Sequence, residues 1–403
     1  MSTAHTWNFK TSFRRNAFGW AGTSKAIGRI KEALGEIERA ARTDPALAAD
    51  GAVLLLEKLS PALAHIDSSS GSLGSAAATA VSKLVPLISG ARVPEALRRK
   101  WLDRLFEAYQ DDDPPYIECL GEFWGDLCAT PALASDWADR LMPLVRLMLA
   151  DRRSGVFAYA KAETLCLSAL FKARRFDDLL ELRSLDPKPG WQDQQWVAKV
   201  MVARGEVDAA IDFIEDLRSP YASDAALSAL AEQVLLDAGR VEEAYTRYAI
   251  AACDAYTHIA TFRAIVKRYP GIAPARILTD LIASSPGTEG KWFATAKTIK
   301  QYDLALALAQ RAAVDPNTLI RAARDHLKSQ PDFAVKVALY ALQWMARGAG
   351  YEITGSDVRA ARDHALEAAR ELGQEAWARA QIAVGVAGDT NSAAWVRQQL
   401  LLG

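Results

Sequence analysis

Six short segments, each an apolar residue leading into acidic or small ones, recur along the second half of the chain at nearly constant spacing. They start at Phe176 (FDDLLEL), Val207 (VDAAIDF), Val241 (VEEAYTR), Ile272 (IAPARIL), Tyr302 (YDLALAL) and Phe333 (FAVKVAL). Successive starts lie 31, 34, 31, 30 and 31 residues apart. A period near 34 residues fits two helices of about 12 residues each and two short turns. A helix pair of that size has one apolar stripe it cannot bury alone, so neighbouring pairs must stack at a fixed pitch. The spacing therefore predicts an all-α chain, an α-solenoid of antiparallel helical hairpins.

The rest of the sequence also reads as helix. Apolar residues follow a spacing of three and four, as in Ile27, Ile30, Leu34 and Ile37, and in Leu141, Leu144, Val145 and Met148. Half of the chain is hydrophobic and 24% is charged, enough apolar matter for a sizeable core. Residues 1–155 are read as an N-terminal helical domain. Residues 156–403 are read as the solenoid with C-terminal capping helices. Within the first part, a helix is expected over 24–42 with Ser24 as its N-cap, and a second opens at Asp44-Pro45. That second helix should stop at the serine-rich turn 67–72. A third is expected over 73–89, and Pro94 should start a fourth that ends before Asp111-Asp112-Asp113-Pro114-Pro115. Two more are expected near 115–128 and 133–150. Residues 355–401 should supply two or three closing helices.

The stretch Gly239-Arg240-Val241-Glu242-Glu243-Ala244, with Tyr248 and Ala251, resembles the second helix of a tetratricopeptide repeat. Small Ala244 and Ala251 would let helices approach, and Tyr248 would fill the gap between them. Gly205-Glu206-Val207-Asp208-Ala209-Ala210 with Ile214 repeats the pattern, and Tyr302-Asp303-Leu304-Ala305 with Ala309 and Ala312 follows it more loosely. Ile272, followed by Pro274, and Phe333, with no small residue three positions on, depart from it. The resemblance covers about residues 156–345. It implies a concave face built from the first helix of each pair, here including Trp196, Lys199, Arg263, Lys267, Lys297 and Lys300. That face leans basic. By fold analogy it implies a non-enzymatic scaffold for an extended, acidic peptide or protein partner. A second resemblance concerns the first half. FRRNAFGW at 13–20, the helix pair over 24–66 and the turn IDSSSGSLG at 66–74 are similar to helical regions of bacterial SWIM-type zinc-finger-associated proteins. The Cys-x-Cys and Cys-x-His pairs of that finger are missing from the sequence, so no metal is implied.

Motifs for catalysis are sparse. The four cysteines, Cys119, Cys128, Cys166 and Cys253, form no C-x-x-C pair and read as reduced core thiols. The five histidines include no H-E-x-x-H, and His326 and His364 each follow an aspartate that a helix turns away from them. No phosphate loop, dinucleotide fingerprint or G-x-S-x-G elbow occurs. Asp111-Asp112-Asp113 lacks the alternating ligand spacing of a calcium loop and reads as a solvated, helix-capping turn. Ser68–Ser72 reads as an inter-helix turn. No cofactor is expected.

Charge leaves two features to place. The formal net charge is −1, from 48 basic and 49 acidic residues, which gives no global pull toward nucleic acid or anionic membrane. Basic pairs nevertheless cluster near helix ends, and Arg14, Arg15, Arg98, Arg99, Lys100, Arg152, Arg153, Arg174 and Arg175 are candidate phosphate contacts. A nucleic-acid-binding solenoid, in a mobile-element or defence setting, is therefore the alternative reading, and an enzyme with a non-local site is the second. Trp7, Phe9, Phe13, Phe18 and Trp20 crowd the first 20 residues. They read as a cap over an open solenoid end, with a base-stacking recognition arm as the alternative. Met1–Lys10 has no apolar leader segment, and no run of about 18 uninterrupted apolar residues occurs, so the expectation is a cytoplasmic chain without a membrane partner.

Overall fold

The computed structural model describes residues 5–156, 159, 161–220 and 222–401. Among these residues there is helix and no strand. The chain divides into two compact units, Met1–Leu217 and Arg218–Gly403, so the change of sequence pattern at 155/156 falls inside the first unit.

In the first unit the described residues form α1 (Thr23–Ala41), α2 (Pro45–Leu63), α3 (Ser72–Gly90), α4 (Glu95–Gln110), α5 (Trp124–Cys128), α6 (Pro131–Arg153), α7 (Ala162–Lys172), α8 (Phe176–Leu185), α9 (Trp191–Ala203) and α10 (Val207–Asp216). The 3-10 turns Asn8–Thr11 and Glu118–Phe123 join them. The second unit holds α11 (Asp224–Asp237), α12 (Val241–Ala252), α13 (His258–Arg268), α14 (Pro274–Ala283), α15 (Phe293–Thr298), α16 (Tyr302–Arg311), α17 (Pro316–His326), α18 (Pro331–Ala346), α19 (Gly355–Glu371), α20 (Glu375–Gly385) and α21 (Asn391–Leu401). In both units helices pack chiefly on those next to them in sequence, the arrangement of a solenoid-like all-α fold.

The sequence recurrence has a backbone cause. Phe176, Val207, Val241 and Tyr302 are each the first residue of their helix. Two positions earlier the backbone is left-handed, at Arg174 (φ +59°), Gly205 (+86°), Gly239 (+74°) and Lys300 (+63°). The following N–H then reaches back five residues: Arg175 to Leu170 O (3.0 Å), Glu206 to Met201 O (2.9 Å), Arg240 to Leu235 O (2.8 Å) and Gln301 to Ala296 O (2.9 Å). This closure satisfies carbonyls at the end of one helix and launches the next at a repeated angle. The other two anchors are displaced. Ile272 lies in the turn before α14, because Pro274 suits a first helical position. Phe333 falls two residues inside α18, which starts at Pro331 for the same reason.

Several expectations for the first part change. The N-cap of α1 is Gly22 rather than Ser24, and Thr23 spends its hydroxyl on Asp67 O at 2.8 Å. The helix expected near 115–128 is the 3-10 turn Glu118–Phe123 followed by the short α5. The helix expected near 133–150 is longer, because Thr130 caps it through Leu133 N–H. On that helix Leu141, Val145 and Met148 are buried, while Leu144 faces out at 51% exposure. Asp112 is not in a solvated turn. It is buried, and its carboxylate accepts from Tyr116 N–H (2.9 Å) and Ile117 N–H (2.8 Å). Asp44 does cap α2, accepting from Leu47 N–H at 2.9 Å. Three helices, α19 to α21, lie within 355–401.

The core of the first unit starts at its N-terminus. Trp7, Phe9, Phe13 and Phe18 are buried, and successive ring centroids lie 5.4, 6.4 and 6.1 Å apart. Each buried ring removes enough apolar surface from water to contribute roughly 2–3 kcal/mol. The Glu36 carboxylate accepts from Asn8 N–H (2.8 Å) and Phe9 N–H (3.2 Å), fixing the segment against α1. Trp7 lies over Gly51 of α2, where an added Cβ would stand 2.3 Å from the indole. Only Trp20 of the five aromatics is exposed. Among the described helices, α3 alone is long and apolar enough to cross a membrane. It carries Lys83 and four serines, and its apolar stripe, with Leu73, Val81, Leu84 and Ile88, is buried in the unit.

Candidate functional site

A cleft of about 620 Å³ opens in the first unit between the 3-10 turn Glu118–Phe123, α5, α7, α8 and α9. Its geometry begins with a close approach of two backbones. Gly125 N–H donates to Ser168 Oγ at 2.9 Å, and Ser168 Oγ–H donates to Glu122 O at 2.8 Å. A Cβ at Gly125 would stand 2.3 Å from Ser168 O, so only glycine lets α5 lie this near α7. Phe171, the tenth residue of α7, then meets the anchor Phe176 at 5.7 Å and Trp196 of α9 at 5.8 Å between centroids. The three rings make an aromatic wall.

Cations complete the cleft. Lys199 is one turn beyond Trp196 on α9, and its Nζ sits 4.0 Å from the centre of the indole. Burial pushes the Lys199 amine below the usual lysine range, against the pull of Glu122 and Asp126. Among the described residues no carboxylate stands within ion-pair distance of that Nζ, and its close contact is the π face. Lys172, by contrast, is paired with Asp126 at 3.0 Å. Arg174 is exposed at the mouth, its guanidinium carbon 6.0 Å from the Phe176 ring. The buried Trp196 Nε1 has no hydrogen-bond partner among the described residues.

Of the six residues expected on a partner face, Trp196 and Lys199 meet in this cleft. Trp196 is buried and acts as wall rather than as an open contact. Arg263, Lys267, Lys297 and Lys300 belong to the second unit. There Arg263 and Lys267 are exposed on α13, Lys297 is half-buried on α15, and Lys300 is in the turn before α16. Lys300 borders a smaller cleft of about 430 Å³ with Tyr302 and Phe333, whose rings lie 5.0 Å apart. Both clefts set a left-handed cation two residues before an aromatic anchor, Arg174 before Phe176 and Lys300 before Tyr302. His326 packs on both rings and its Nδ1 lies 2.9 Å from Ala322 O.

The candidate phosphate contacts divide. Arg98 is corrected outright, because it is buried and donates to Ile88 O (2.6 Å), Ala91 O (2.5 Å) and Leu127 O (3.4 Å). It adds a side-chain donor at the carbonyl end of α3, where Ala91 N–H also reaches Ile88 O at 3.3 Å. Arg152 joins Glu163 (3.1 Å) and Asp186 (2.9 Å), and both carboxylates also hold the buried Arg183. Arg175 binds Asp139 (2.6 Å) and Asp178 (2.7 Å), and Arg99 binds Glu95 (2.7 Å) and Asp136 (2.6 Å). Arg14, Arg15, Lys100, Arg153 and Arg174 remain exposed.

Sequence reading overlooked Phe171 and Lys172 as cleft residues, and their only signal was adjacency to the Arg174-Arg175 pair. It also overlooked the Glu163–Arg183–Asp186 cluster, of which only the i, i+3 spacing of Arg183 and Asp186 was visible. The thiols are free, and burial pushes Cys119 up to about 11 and Cys128 up to about 12, far from a reactive thiolate. Among the described residues no group of three metal-ligating side chains converges. No protein-family model and no curated protein matches the chain.

Proposed function

We propose that this chain is a non-enzymatic binding scaffold that holds an extended peptide or protein segment, and that the aromatic and basic cleft of the first unit is where it does so. The observation that carries this reading is Lys199, a half-buried ammonium with an indole face at 4.0 Å and, among the described residues, no carboxylate in ion-pair reach. Removing a charge from water without a counter-charge is costly, and a partner that supplies one recovers the cost on binding. The surrounding groups are suited to holding rather than reacting. They are ring faces, cations, the carboxylates Glu122 and Asp126 and a glycine-tightened helix contact, in a volume typical of ligand clefts.

Affinity capture from the source organism tests the reading. The wild-type chain should retain a partner protein at near one-to-one stoichiometry, and Lys199→Glu should retain less than a tenth as much at unchanged melting temperature. Equal recovery by the two chains, or capture of nucleic acid in place of protein, would remove it.

A further inference from the structure

Deepening the scaffold reading and resting on it, we infer that the cleft of the first unit recognises an acidic–aromatic peptide segment: one aromatic side chain against the half-buried Phe171 and Phe176 rings and one neighbouring side-chain carboxylate on Lys199. The charge count around the cleft selects a monoanion. Lys172, Arg174 and Lys199 face Glu122 and Asp126, which leaves one net positive charge. Lys172 is already matched by Asp126 at 3.0 Å. A phosphate chain would bring several negative charges against two resident carboxylates, whereas a single carboxylate meets Lys199 without that repulsion. Arg174 lies further out and is able to steer the acidic segment inward.

The apolar half of the ligand follows from the rings. Phe171 touches both Phe176 and Trp196, and the opening beside them is far larger than Lys199 needs. An aromatic side chain packs edge-on or offset against such faces and adds about 0.5–1.5 kcal/mol beyond its buried area. Arg174 provides an independent sign. It occupies a left-handed position that glycine fills in the matching turns at 205 and 239, so a cation is kept there at a conformational cost.

The test uses the full chain and a panel of fluorescein-labelled octapeptides in a Ser/Gly background, with the C-terminus amidated so that no terminal carboxylate is present. The panel carries a central Phe-Glu, Phe-Gln, Ala-Glu or Phe-Lys pair, and binding is read by fluorescence polarisation up to millimolar protein. Phe-Glu should bind about tenfold more tightly than Phe-Gln and Ala-Glu, with Phe-Lys weakest. In Lys199→Gln the Phe-Glu to Phe-Gln ratio should fall to near one, while Lys199→Arg keeps most of it. A ratio of one with the wild-type chain overturns the inference, and so does failure of all four peptides to bind. Equal competition by free 3-phenylpropionate would replace the peptide with a small aromatic acid, and stronger competition by oligo(dT) would replace it with nucleic acid. The two readings fail separately: a native partner held by the wild-type chain and lost from Lys199→Glu, together with a Phe-Glu to Phe-Gln ratio of one, leaves the scaffold standing and removes this inference.

Discussion

At Arg174 and Lys300 an L-residue with a long side chain holds a left-handed backbone that glycine holds at 205 and 239. The cost of that conformation is roughly 1 kcal/mol per residue. Arg174→Gly and Lys300→Gly should each raise stability to denaturant by about 0.5–1 kcal/mol, and Gly205→Ala and Gly239→Ala should lower it by a similar amount. Urea titrations of the four variants check this, and a destabilised Arg174→Gly would show that its side chain carries more than the turn. Asp193 offers a pH test at the same scale. Burial, reinforced by Glu163, pushes its carboxyl up to about 6 from an ordinary 3.8. The folded state therefore binds this proton more tightly than the unfolded state. The group costs nothing below about pH 4 and costs stability increasingly as pH rises through 6. Asp193→Asn should match the wild-type stability near pH 4 and exceed it at pH 7, with a higher melting temperature there, by an amount on the order of 1–2 kcal/mol. Melting curves at the two pH values decide it, and a variant less stable at pH 7 would contradict the sign.

At the scale of elements, the helices were largely legible and their junctions were not. Apolar-acidic starts announced α8, α10, α12 and α16 to the residue because an apolar anchor and first-turn carboxylates coincide there. Pro274 and Pro331 displaced two starts, each setting its helix where its ring fits rather than where the apolar anchor falls. The left-handed turns at Arg174 and Lys300 carried no signal, since neither residue is the glycine that usually marks one. Arg98 was misread for a tertiary reason: its partners are carbonyls on α3, the loop after it and α5, 7 to 29 residues away in sequence. The cleft was half legible. Trp196 and Lys199 follow from their place on a first helix, but Phe171 and Phe123 become cleft walls only once Gly125 brings α5 onto α7. The N-terminal aromatic segment is tied to α2 by one such approach. Gly51→Ala should drive a methyl into the Trp7 indole and cost about 1–3 kcal/mol, read as a lower melting temperature. A neutral substitution would show that Trp7 is free to move off α2.

For the molecule as a whole, the neutral charge balance and the internal use of its arginines bear on the choice of partner. Four of the nine candidate phosphate contacts, Arg98, Arg99, Arg152 and Arg175, are engaged by carbonyls or carboxylates of the chain itself. What remains distinctive is a cleft that joins a three-ring wall to an ammonium with no carboxylate in ion-pair reach among the described residues. The measurement that tests this account most directly is site-specific photocrosslinking in cells of the source organism. p-Benzoylphenylalanine in place of Ala203, which is exposed and lines the cleft, should form a covalent adduct with one partner protein. The same group in place of Ala150, exposed on α6 and away from the cleft lining, should form none. Equal adducts at both positions, or none at Ala203, would contradict the cleft as the place where this chain holds its partner.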